Sequence, residues 1–75
     1  MVYISIIQEG TNIILNCHKG TKNGDYFKLV IDINSKKIIE KPSNYDIDAS
    51  IAYSHIYALL KSGEPLPRET VAAWG

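Results

Sequence analysis

The sequence predicts an α+β fold: a four-stranded antiparallel β-meander followed by one amphipathic helix packed on one sheet face, with a short apolar C-terminal tail. Three observations carry that expectation. Apolar residues recur with a period of two through the first half of the chain, and the period changes to about 3.6 after Asp46. Turn-forming residues separate the runs at short intervals, which makes sequential strands neighbours.

Val2, Ile4 and Ile6 alternate with Tyr3, Ser5 and Ile7, so the first strand carries apolar side chains on both faces. Glu9-Gly10-Thr11-Asn12 closes it with a tight turn. In the second strand Ile13, Leu15 and Cys17 share one face, opposite Ile14, Asn16 and His18. Asn23-Gly24, within the loop Lys19–Asp25, is the strongest hairpin signal in the chain. It predicts a type I′ turn, whose two central residues need positive φ. The third strand has the clearest alternation, with Phe27, Leu29, Ile31 and Ile33 opposite Tyr26, Lys28, Val30 and Asp32. Asn34–Lys37 turns into a short fourth strand, Ile38–Lys41, which Pro42 ends and which belongs at a sheet edge.

Beyond the polar link 43–46, Ala49, Ala52, Tyr53, Ile56, Leu59 and Leu60 fall on one continuous helical face. Asp48 is the expected N-cap, with Asp46 a competing cap half a turn earlier. Lys61 in the last turn, Gly63 and Pro65 put the helix end near Ser62. The tail from Glu64 reads in two ways: a short helix opened by Pro67, or an extended segment along a sheet edge through Thr70 and Val71. Trp74 should pack back onto the domain, because burying an indole contributes several times what a methyl does.

A chain of 75 residues buries one core, so a single small domain spanning the whole length is expected. Cys17 is the sole cysteine and has no disulfide partner within the chain. With only His18 and His55 beside it, the chain falls short of the four ligands of a structural zinc site. Domains of this size without such staples often gain stability by self-association. Eight basic and eight acidic residues cancel, so no net field gathers phosphates or anionic lipid. No stretch is long enough to cross a bilayer, and the apolar start is too short for a signal-peptide core. One unpaired thiol makes a cytoplasmic location the default.

No motif points to a specific chemistry. Cys17 and His18 are adjacent on a strand and project to opposite faces, so they cannot form a dyad. A pairing of Cys17 with His55 across the helix–sheet contact is geometrically open, against the ordinary behaviour of a buried thiol, which is inert. Asn44, Asp46, Asp48 and Ser50 stand two apart, like the start of an EF-hand loop. That loop needs glycine where this chain has Ala49 and glutamate where it has His55, so the aspartates are read as helix caps. The segment Gly20–Gly24 lacks P-loop spacing and leads into a strand rather than a helix.

These readings predict a small non-catalytic protein-interaction or self-associating module without cofactor or metal. Its partner is another protein or a second copy, bound through Tyr3, Ile14, Tyr26 and Val30 on the outer sheet face and Tyr57 on the outer side of the helix. Two alternatives come from other classes. One is a thiol-dependent minor enzyme using Cys17 with His55. The other is a nucleic-acid-binding or regulatory module that stacks bases on an aromatic sheet face.

Overall fold

The alternation read in the first three strands becomes the two faces of one antiparallel sheet. A computed structural model describes residues 1–73. The elements are β1 (Val2–Glu9), β2 (Asn12–Lys19), β3 (Tyr26–Asp32), β4 (Ile38–Glu40), α1 (Ile47–Ser62) and β5 (Glu69–Ala72). The sheet order is β4-β3-β2-β1-β5, with every neighbouring pair antiparallel. The first four strands form the expected meander, and α1 packs on one face.

The sheet has five strands rather than four, because the tail takes its extended option. β5 pairs with β1, Val2 lying opposite Ala72 and Ser5 opposite Glu69, and the Ile6 amide extends the ladder to the Arg68 carbonyl at 2.8 Å. β-Branched Thr70 and Val71 suit that strand, and pairing satisfies backbone groups that β1 would otherwise leave at an edge. Trp74 lies outside the described residues.

Side chains at alternate positions build the core. Val2 and Ile4, then Ile13, Leu15 and Cys17, then Phe27, Leu29 and Ile31 all project beneath the helix and are buried. From α1 come Ala49, Ala52 and Ile56, with Tyr53, Leu59 and Leu60 half-buried at the margins as the helical period predicts. Two small alanines bring the helix backbone close to the sheet, and each fully buried isoleucine or leucine contributes about 1.5–3 kcal/mol.

Three polar ties fix the helix over that core. At its start Asp46, not Asp48, is the N-cap: its carboxylate accepts the Ala49 amide at 3.1 Å and pairs with the Lys19 ammonium. Lys19, at the end of β2, lies on the helix side of the sheet and reaches Asp48 only at 4.0 Å. This explains the earlier start, since the residue that meets the lysine is the one that closes the helix. Midway, the Tyr53 hydroxyl donates to the Lys36 carbonyl at 2.7 Å. On the other flank His55 Nε2 lies 3.0 Å from Thr70 Oγ1 on β5. The helix ends as expected, with Gly63 in the left-handed region at φ 74° and its amide bonded to the Leu60 carbonyl.

The β2–β3 connection departs from the expected type I′ turn. It is a six-residue loop, 20–25, in which Gly20 rather than Asn23 or Gly24 takes positive φ. Gly24 is glycine for a different reason: a Cβ there would sit 1.7 Å from the Lys19 carbonyl oxygen. The loop folds back on the strand end, with the Gly24 amide on the Thr21 carbonyl at 3.0 Å and the Lys19 amide on the Asp25 carbonyl at 2.9 Å. In the β3–β4 turn Lys36 adopts φ 62°, which costs roughly 1–2 kcal/mol for a side-chain-bearing residue. Its amide bond to the Asp32 carbonyl, together with the Tyr53 contact, holds it there.

Two outcomes test these assignments. Gly24→Ala is expected to lower stability by about 1–3 kcal/mol, because the backbone contact at Lys19 must open. A urea midpoint unchanged from wild type would contradict the close approach. The second concerns pH. Hydrogen bonding from Lys19 and then from the Ala49 amide holds the Asp46 carboxyl below its ordinary range, and the same pairing raises Lys19. The Asp46 contribution is therefore present above its unfolded pKa of about 3.9 and is lost as pH falls through the lower folded value. The Lys19 contribution is complete below about 10.4 and is lost as pH rises through the higher folded value. Wild type should melt above Asp46→Asn at neutral pH, with the gap closing below about pH 4. A gap that stays constant from neutral to strongly acidic pH would remove the ion pair from the account.

Candidate functional site

The helix covers one face of the sheet, and the register sorts the side chains of the other face into rows: a polar one, Glu9, Asn12 and Asp32, at the β1–β2 turn end, and three beyond it, counted from the far end. The first runs Val71, Tyr3, His18, Tyr26 across β5, β1, β2 and β3. The second runs Glu69, Ser5, Asn16, Lys28 in the same strand order. The third brings together Ile7, Ile14 and Val30, ending at Glu40 of β4. An aromatic row and an aliphatic row thus flank a polar one.

Contacts within the rows hold the side chains in place. The His18 and Tyr26 rings meet at 5.5 Å between centroids with a tilt of 52°, a favourable aromatic arrangement. The Tyr26 hydroxyl donates to Asn16 Oδ1 at 2.7 Å, tying the first row to the second. His18 Nδ1 lies 3.0 Å from the Gly24 carbonyl oxygen. A carbonyl only accepts, so Nδ1 carries the proton and Nε2 is the acceptor of the neutral ring. Lys28 pairs with Glu40 at 3.0 Å, and that hydrogen bond raises the lysine pKa.

Much of this face is uncovered by the described chain. Tyr26 is 56% exposed, Ile7 51% and Val71 41%. Val30 is the exception at 8%, enclosed between its cross-strand neighbours Ile14 and Glu40. Beside β5 the surface sinks into a groove of about 360 Å³, lined among others by Tyr3, Ser5, His18, Lys22, Glu69 and Val71. Lys22 and Glu69 give its lining both signs of charge.

The five residues expected to form an interaction surface divide between two sides of the domain. Tyr3, Ile14, Tyr26 and Val30 share the open sheet face. Tyr57 belongs to the helix that covers the opposite face, where its ring lies 5.7 Å from that of Tyr53 with the Lys61 ammonium 5.8 Å above it. His18 and Val71 join the sheet group without having been singled out for it. Strand parity was the available signal for His18, which shares its face with Ile14 and Asn16. Val71 was hidden by the two options for the tail.

The remaining candidates have structural surroundings. Cys17 is fully buried, and burial pushes its thiol pKa up to about 12. His55 bonds Thr70, which lies opposite Ile4, which in turn lies opposite Cys17. Two strand spacings, about 10 Å, therefore separate the backbone of the His55 partner from that of the thiol. Asp46 is engaged as a cap, and among the described residues no three His, Cys, Asp or Glu side chains are grouped to hold a metal ion. No helix among them is long and apolar enough to cross a membrane.

No protein-family model matches the chain, and comparison with curated proteins and with solved structures finds no similar one.

The environment of Cys17 makes a measurable statement. At pH 8 its alkylation in the native protein should be slower than in the urea-unfolded chain by about a thousandfold, from the lower thiolate fraction alone. Equal rates in the two states would show that the thiol is accessible and ionisable in the fold.

Proposed function

We propose that this chain is a non-catalytic interaction module that binds a protein partner through the sheet face its helix leaves open. The observation that carries the reading is the cross-strand row Val71, Tyr3, His18, Tyr26, exposed at Val71 and Tyr26 and half-buried between them, beside exposed Ile7 and half-buried Ile14. Tyr26, held by its hydroxyl bond to Asn16, loses little entropy on binding, and both tyrosines offer apolar area and a hydroxyl, which is why such residues anchor interfaces. A sheet face built this way accepts another apolar surface without rearrangement of the backbone.

The competing chemistries have less support. A thiol mechanism would require Cys17 to leave the core and His55 to leave Thr70. Base stacking on Tyr3, His18 and Tyr26 would bring phosphates toward Lys22 and Lys28, but Glu40 and Glu69 border the same face and oppose them. A cytoplasmic setting, consistent with one unpaired thiol, is part of the same proposal.

Cross-linking capture from the native host tests the reading with three baits: wild type, Tyr3→Ser with Tyr26→Ser, and Tyr57→Ser as a control on the opposite side. A protein retained by wild type and Tyr57→Ser but lost by the sheet-face double variant is the expected result, with all three baits folded by circular dichroism. A protein captured equally by all three would overturn the assignment of the face.

A further inference from the structure

We infer that the occupant of the open face is a second copy of this chain, stacked sheet to sheet about a two-fold axis that runs along the strands between β1 and β2. The inference rests on the proposed interaction role and names its partner. Such an axis keeps each row over itself, carrying β1 across the partner's β2 and β5 across the partner's β3.

The charges on the middle row select this arrangement. Its order is Glu69, Ser5, Asn16, Lys28, acidic at one end and basic at the other. The axis along the strands sets Glu69 over the partner's Lys28 twice, by symmetry, with Ser5 over the partner's Asn16 at the centre. An axis across the strands through the same row would instead oppose Glu69 to the partner's Glu69 and Lys28 to the partner's Lys28. Like charges facing one another disfavour that alternative.

The flanking rows agree. Val71 falls over the partner's Tyr26 and Ile7 over the partner's Ile14, apolar against apolar. Tyr3 falls over the partner's His18, where the hydroxyl is a donor and the ring's Nε2 is the acceptor of the tautomer that the Nδ1 bond to Gly24 selects. Aligned sheets pack about 10 Å apart with strands rotated by about 30°. The charged ends of the row lie roughly 7 Å from the axis, one and a half strand spacings, so long Glu and Lys side chains absorb the offset. Lys28 keeps its own Glu40 on the rim and so bridges two carboxylates in the dimer. Two-fold isologous dimers are the commonest homo-oligomers, and such a contact enlarges the buried fraction of a small domain.

Sedimentation velocity across a concentration series, up to millimolar, tests the arrangement. Wild type should be a dimer. Lys28→Glu and Glu69→Lys should each weaken dimerisation by about tenfold, since each turns two attractive pairs into repulsive ones. Combining them restores opposite charges in reversed order and should return the dissociation constant to within about threefold of wild type. Raised salt should shrink these differences. A wild-type chain that stays monomeric overturns the homodimer, as does a dimer in which the double variant is no tighter than either single. Tyr3- and Tyr26-dependent capture of another protein from the host would still support the wider reading in those cases, and only capture independent of both residues would remove it.

Discussion

The packing of Ala49, Ala52 and Ile56 against the inward side chains of β1, β2 and β3 is the contact on which the other features of this molecule depend. Side chains on a strand alternate strictly, so committing Ile4, Leu15 and Leu29 to the helix side commits Tyr3, Asn16 and Lys28 to the other. A register slip of one residue would reverse both sets at once. The composition of the open face is therefore fixed by the closed face. One helix covers one face of a sheet, and a chain with apolar residues at both parities keeps some of them outside.

Lys19 joins this core to the helix in a way that period alone does not convey. Its backbone ends β2, its ammonium pairs with the helix cap Asp46, and the same ammonium lies 5.9 Å above the Phe27 ring. One side chain thus aligns the helix start with the strands beneath it. Tyr53 and His55, bonded to Lys36 and Thr70, set the two flanks, so the helix is located by its polar contacts as well as by its apolar face.

The sequence made some of this legible and concealed the rest for physical reasons. Alternation in Tyr26–Asp32 and the helical face from Ala49 to Leu60 were readable because both runs are long enough to average over exceptions such as Val30. The helix cap was misplaced because two aspartates have equal local merit, and only the distant Lys19 distinguishes them. The Asn23-Gly24 signal misled because a turn type depends on where the flanking ladder stops, and here its last pair is His18 with Tyr26. The membership of the open face was half visible. Tyr3, Ile14, Tyr26 and Val30 followed from parity, whereas Val71 required the long-range pairing of β5, and the distance of Tyr57 from the others required the side on which the helix packs.

That long-range pairing has a kinetic consequence. The meander is local, each strand meeting the next across a short turn, and it assembles without waiting for the rest of the chain. β5 instead joins the second residue of the sequence to the seventy-second, so its docking requires closure of nearly the whole chain and comes late. Until then β1 is an edge with unpaired backbone groups at Val2, Ile4 and Ile6, three strongly β-forming residues. A nascent chain at that stage is a template for strand exchange with its neighbours. Once docked, β5 is held from two sides, by its ladder to β1 and by the His55–Thr70 contact to the helix.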